Sequence, residues 1–206
     1  MRTASVCLIL LILLSNTPVA VRLSIAPPPR QPMQTVETGL VVLDMDIDPD
    51  GKPSHVEMVQ GMAPFVEPSL ESVRQWIFQP LEKGQGAVPA TVVFLFRART
   101  VLPDRPVTLN LTPEPPDFDG PPRPMTITDP GYPLQSAAEG VVILQLLIDS
   151  RGRVQKTEVI RDIPSLTTTA AHAVSQWRFR PATHAGNAAP GTAFAVVSFL
   201  RPVLSH

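Results

Sequence analysis

The sequence predicts an α+β fold of two small modules, each an antiparallel β-hairpin, a helix and a third strand, joined by a proline-rich linker. Three observations predict it. The chain repeats itself at an offset of 101 residues, which lays Gly39 over Gly140. Within each copy the hydrophobic pattern switches from strict alternation to helical spacing. The 25 prolines gather mainly where the copies stop, and a proline-rich segment cannot supply a continuous ladder of backbone donors.

The repeat needs no gap between Gly39 and Thr91. "GLVVLDMDIDPDGK" from Gly39 lies over "GVVILQLLIDSRGR" from Gly140, and "EMV" at Glu57 lies over "EVI" at Glu158. "VRQWIFQP" from Val73 lies over "VSQWRFRP" from Val174, Pro89 over Pro190, and Thr91 over Thr192. Gly, Ile-Asp, Gly, Glu, Gln-Trp, Phe and Pro in one register identify two copies of one unit. The boundaries that follow are a signal peptide or N-terminal membrane anchor over 1–22 and a proline-rich lead-in over 23–38. The first module spans 39–99, the linker 100–128 and the second module 129–203.

Each module begins with a strand. Val41, Leu43, Met45 and Ile47 alternate with polar or outer positions, as do Val142, Leu144, Leu146 and Ile148, which predicts half-buried strands. A turn follows, with Gly51 or Gly152 free to take positive φ. "HVEMVQG" and "QKTEVIRD" then complete the hairpins. The helix of the second copy opens on Pro164, where a missing N–H costs nothing, and carries Leu166, Ala170, Val174 and Trp177 on one stripe. In the first copy Leu70, Val73 and Trp76 mark the same helix, shortened by Pro68. "ATVVFLFRA" and "TAFAVVSFLR" are the closing strands. "GYPLQSAAEG", from Gly131, is a candidate for an additional short helix before the second module, and "RQPMQTVETG" a weaker one before the first. "RPVTLNLTP" alternates briefly inside the linker and is a candidate edge strand.

Bulk properties narrow the function. A formal net charge of −1 offers no bulk electrostatic attraction to nucleic acid. Cys7 is the single cysteine, so the chain has no intramolecular disulfide and no cysteine metal cluster. Arg2 and the apolar run Val6–Leu14 suit an export signal, and the run is too short for a spanning helix. Extended through Val21, the segment becomes a marginal anchor. Cleavage after Ala20 would put Pro18 at the third position before the cut. Cleavage after Ala26 would put Ser24 there, with Pro27 directly after.

Several local patterns have a plain reading beside a functional one. "DIDPDGKPSHVE" from Asp46 fits an EF-hand loop through Asp46, Asp48, Asp50, Gly51 and Glu57. Yet strands flank it, and the second copy keeps only the Ile-Asp, the Gly and the Glu. A hairpin turn is therefore the main reading and calcium binding over Asp46–Glu57 a minor alternative. Trp76, Phe78, Trp177 and Phe179 read as module core. His55, His172, His184 and His206 share no ligand spacing. Arg151, Arg153, Arg178 and Arg180 read as solvated turn and strand positions. No catalytic constellation or phosphate loop is visible, so no enzyme activity and no cofactor are expected.

The hairpin, the helix ending in Trp-Arg-Phe-x-Pro-Ala and the final strand resemble the TonB C-terminal domain family. "YP" at Tyr132, "AAEGVV" from Ala137, "Ile-Asp-x-x-Gly-x-Val" from Ile148 and "WRFRPA" from Trp177 carry the resemblance in Gly131–Pro202. The first copy, with "WIFQPL" at Trp76, is more divergent. The resemblance implies a periplasmic protein of the bacterial envelope. It also implies a partner: an outer-membrane TonB-dependent receptor, whose TonB-box peptide adds a strand to an exposed edge, or another periplasmic protein. By position the gripping strand would be Thr192–Leu200, with Thr192, Phe194, Val196, Ser198 and Leu200 on one face. The chain departs from a full TonB: it lacks the Ser-x-x-x-His anchor pattern, carries two modules, and has no long spacer. From Val21 to Gly39 it would reach no more than about 60 Å at ~3.1 Å per residue. A self-associating scaffold, built by pairing of exposed edges into a homodimer, is the alternative.

Overall fold

A computed structural model describes residues 21–32, 37–102, 104–111 and 119–203. It opens on a short strand, β1 (Leu23–Ile25). The first repeat forms β2 (Gly39–Ile47), β3 (Pro53–Gln60), α1 (Val66–Val73), β4 (Ile77–Phe78) and β5 (Val88–Phe96). The proline-rich stretch supplies β6 (Val107–Asn110) and β7 (Arg123–Asp129). The second repeat forms β8 (Gly140–Ile148), β9 (Val154–Arg161), α2 (Pro164–Ser175) and β10 (Arg178–Arg180). A small hairpin, β11 (Ala182–His184) and β12 (Asn187–Ala189), precedes β13 (Gly191–Phe199). The fold is α+β, mostly strands with two helices. The apolar run expected to serve export lies outside the described residues.

Both hairpin turns close in the same way. The N–H of Gly51 donates to Asp48 O at 2.8 Å, and that of Gly152 to Asp149 O at 2.9 Å. The two glycines have φ of 82° and 75°, a region that L side chains avoid. In the second turn the Asp149 carboxylate accepts the N–H groups of Arg151 (2.9 Å) and Arg153 (2.8 Å). The bond from Arg153 N–H, more than any other, holds the Asp149 pKa below the usual carboxylate value. A depressed pKa stabilises the fold above the unfolded-state value, and the gain is lost as pH falls through the folded-state value. Asp149→Asn should therefore flatten the acid side of a plot of melting temperature against pH.

The helices differ as their prolines dictate. α2 opens with Pro164 in its first turn, and Thr167 Oγ1 accepts the N–H of Ile163 at 2.9 Å in place of a side-chain cap. α1 has Pro68 as its third residue and is four residues shorter. The candidate extra helix from Gly131 does not form: 131–139 contain only a turn. Tyr132 accounts for this, because its ring is buried and its hydroxyl lies 3.1 Å from Ser136 O and 2.9 Å from Ala138 O. Those carbonyls face the tyrosine and not a helical ladder. Of the weaker candidate before the first module, 33–36 lie outside the described residues, and 30–32 and 37–39 are not helical.

The two modules merge into one six-stranded sheet of order β3-β2-β5-β13-β8-β9. Every adjacent pair is antiparallel except the central one. There β5 and β13 run parallel from Ala90↔Thr192 to Phe96↔Ser198. These closing strands are equivalent in the repeat, so their parallel pairing relates the modules by a pseudo-twofold along the strands. Such an axis turns one module over, and the helices must cover opposite faces. Two cores result. One packs α1 and Trp76 over Leu43, Met45, Phe94 and Phe96, and it includes Phe194 and Val196 of the second module. The other packs α2 and Trp177 over Leu144, Leu146 and Val197, and it includes Val93 and Leu95 of the first. A second, three-stranded sheet of order β10-β7-β6 is formed by the proline-rich stretch with the end of the second helix segment.

Candidate partner-binding edges

A strand can accept an incoming segment only if one of its sides is unpaired. The sequence placed that side on Thr192–Leu200, and the sheet corrects this. From Thr192 to Ser198, β13 is paired with β5 on one side and with β8 on the other. Thr192, Phe194, Val196 and Ser198 are all buried, and Leu200 lies past the end of the strand. Ser198 Oγ also accepts the N–H of Arg97 at 3.3 Å. The site is filled by the chain's own first module, since β5 occupies the side on which a partner would add.

The aromatic positions lie within the cores. Trp76 is 5.3 Å from Phe194 between ring centroids, and Phe78 is 5.7 Å from Phe194. Trp177 lies 6.3 Å from Phe179, and its indole N–H donates to Thr128 O at 3.0 Å. Each hairpin turn then docks on the segment after the tryptophan. The N–H of Phe78 donates to Gly51 O, and that of Phe179 to Gly152 O, both at 2.8 Å.

The open sides of the sheet belong to β3 and β9. β3 is irregular: its pairing with β2 shifts register twice, His55 has a φ of 46°, and Pro53 has no N–H. β9 is more regular. Leu144↔Val159, Gln145↔Glu158, Leu146↔Thr157 and Leu147↔Lys156 form an unbroken run, with register shifts only beyond it. Among the described residues no strand pairs with its other side. Gln155, Lys156, Glu158 and Arg161 are exposed, and Val159 is 46% exposed.

The candidate calcium loop is a hairpin turn between β2 and β3. Its carboxylates are spread over separate partners: Asp46 with His55, Asp48 with the Ser54 hydroxyl, and Asp50 with Lys52. Among the described residues no three His, Cys, Asp or Glu side chains are grouped to hold a metal ion. No helix among them is long and apolar enough to cross a membrane.

The described residues form an α+β fold, mostly strands with two helices, in which a repeated set of elements builds one sheet with two open edges. The family described as Gram-negative bacterial TonB protein C-terminal matches residues 29–97 and 130–199, and the chain belongs to that family. Both segments match, so membership extends to the divergent first copy. No curated protein matches the chain. The family is one of TonB-like proteins of the bacterial envelope, built for protein interaction and involved in energy transduction.

Proposed function

We propose that the protein is a periplasmic TonB-like recognition protein whose two ββαβ modules act as one sheet and capture a partner by strand addition at β9. The partner is an extended segment of an outer-membrane receptor, and the role is in energy-dependent transport across that membrane. One observation carries this reading. β13 is enclosed, whereas β9 ends the sheet with a regular run of backbone groups open on one side. Exposed donors and acceptors of this kind pair with an extended chain whatever its side chains.

The test removes one outward N–H. Along a strand, successive N–H groups point to opposite sides. Of Thr157→Pro and Glu158→Pro, one breaks the ladder to β8 and the other alters only the open side. The variant that keeps a near wild-type melting temperature identifies the outward position. The full chain carrying it should lose receptors that the wild type retains from solubilised outer membranes. Equal retention by the two rules out strand addition at β9. Retention by neither rules out the receptor as partner.

A second reading, self-association, is favoured by one feature of the same edge. Two β9 strands paired antiparallel about Thr157 would put Lys156 of each copy opposite Glu158 of the other, and opposite charges across a ladder stabilise it. Sedimentation separates the readings, since a strict monomer excludes the second.

A further inference from the structure

The repeat is visible in the sequence from Gly39, but the structural repeat starts earlier. β1 pairs with β4 through Leu23↔Phe78 and Ile25↔Ile77. β7 pairs with β10 through Pro124↔Phe179 and Thr126↔Arg178. Each residue of the first set lies 101 positions before its counterpart in the second, and both ladders shift register at the same step. Residues 21–27 are thus the first module's copy of 122–128. Both stretches precede the segments matched by the family. Each is an arm laid across the strand that follows the module's tryptophan.

Both arms also reach the opposite module. Val21 O accepts the side-chain N–H of Gln145, on β8, at 2.6 Å. At the equivalent place in the other arm, Pro122 O accepts from the Thr91 hydroxyl at 2.6 Å, and Arg123 pairs with Asp44 on β2. Asp44 and Gln145 are themselves equivalent, so one position in each module holds the other module's arm. Farther along, Pro27 O accepts the Ser72 hydroxyl at 2.6 Å, where the second arm offers Thr128 O to Trp177. Val21 and Leu23 are 4% and 8% exposed and belong to the first core. Arg22 O accepts the N–H of Gln79 at 2.8 Å.

Resting on the periplasmic reading proposed above, we infer that residues 21–27 are a permanent part of the mature protein, so that export processing leaves a chain beginning no later than Val21. The second arm is protected by its place within the chain. The first is protected only by where the leader is cut. A cut at the Ala20–Val21 bond leaves the arm whole, and so does retention of the leader. A cut at Ala26–Pro27 removes β1, uncovers the strand after Trp76 and breaks the tie between Val21 and Gln145.

The measurement is the intact mass of the full-length protein after export in a Gram-negative host, taken in both soluble and membrane fractions. A mass corresponding to a start at Val21 or earlier is expected in both. A start after Val21, at Pro27 above all, overturns the inference. Substitution tests the same point without depending on the peptidase. Leu23→Asp in the full chain should lower the melting temperature by roughly 5–10 °C, as expected for a buried position in a chain of this size, whereas exposed Ser24→Asp should leave it unchanged. Equal melting temperatures for the two variants also overturn the inference.

Discussion

Gly152→Ala is expected to lower the stability of the chain by about 2–6 kcal/mol, the sum of two separate costs. The first is conformational. Gly152 has a φ of 75°, where a side chain costs roughly 1–3 kcal/mol. The second is steric. A Cβ on Gly152 would sit 1.7 Å from Phe179 O, a backbone atom with no rotamer to change. Relief requires moving the strand after Trp177, and that movement loses the 2.8 Å bond from Phe179 N–H to Gly152 O. Gly51→Ala should behave alike in the first module, since its Cβ would lie 2.3 Å from Phe78 O. Gly84 isolates the first cost. It has a φ of 88°, but nothing lies within 4 Å of its Cβ. Denaturant unfolding of Gly152→Ala and Gly84→Ala should therefore differ by at least about 1 kcal/mol, the low end of the overpacking cost. Equal losses would show that the turn does not dock on the Trp-x-Phe segment.

That docking explains which parts of the architecture were legible. Ile-Asp-x-x-Gly and Trp-x-Phe persist in both copies because each needs the other, so the repeat exposed the hairpins, the helices and the core aromatics. The assignment of an open edge failed because strand position in a sheet is a tertiary property. A signal was nevertheless present. The closing strands read "ATVVFLF" and "AFAVVSF", with no polar alternation, which is the mark of strands buried on both faces and not of an edge. β9, "VQKTEVIR", carries the charges that edge strands commonly bear. The arms were illegible for a different reason. Their contacts are made largely through carbonyl oxygens and short backbone ladders, which constrain side chains little. Between 21–27 and 122–128 only Arg22 and Arg123 coincide.

The merged sheet also changes what the linker does, and Arg97 is the residue that shows it. Its side chain is 2% exposed. Its Nε lies 2.6 Å from Asp129 at the end of β7, and its Nη2 lies 2.6 Å from Asp104 in the proline-rich stretch. The guanidinium sits 5.5 Å from the ring centroid of Phe199. The carboxylates are engaged in turn: Asp129 accepts the N–H of Gly131 at 2.9 Å, and Asp104 that of Tyr132 at 2.8 Å. One cation thus joins the end of β5, the linker, the entry to the second module and β13.

Arg97→Ala should cost about 3–5 kcal/mol, because it leaves the largely buried Asp129 carboxylate without its counter-charge. Arg97→Lys should cost nearly as much, since an ammonium cannot span both carboxylates in a fixed fork. Asp129→Asn added to Arg97→Met should recover part of the loss by removing the stranded charge. Exposed Arg99, paired with Glu139 at 2.9 Å, provides the contrast. Both of its side chains are more than 40% exposed, and breaking that pair should cost no more than about 1 kcal/mol and less in high salt. The Arg97 loss should persist in high salt, because ions do not reach a buried pair. Denaturant unfolding at low and high salt measures both. An Arg97→Ala variant within 1 kcal/mol of wild type would mean that the buried Arg97 pairs add little, and that the β5–β13 ladder with the Thr91–Pro122 and Arg123–Asp44 contacts holds the linker and the modules without them.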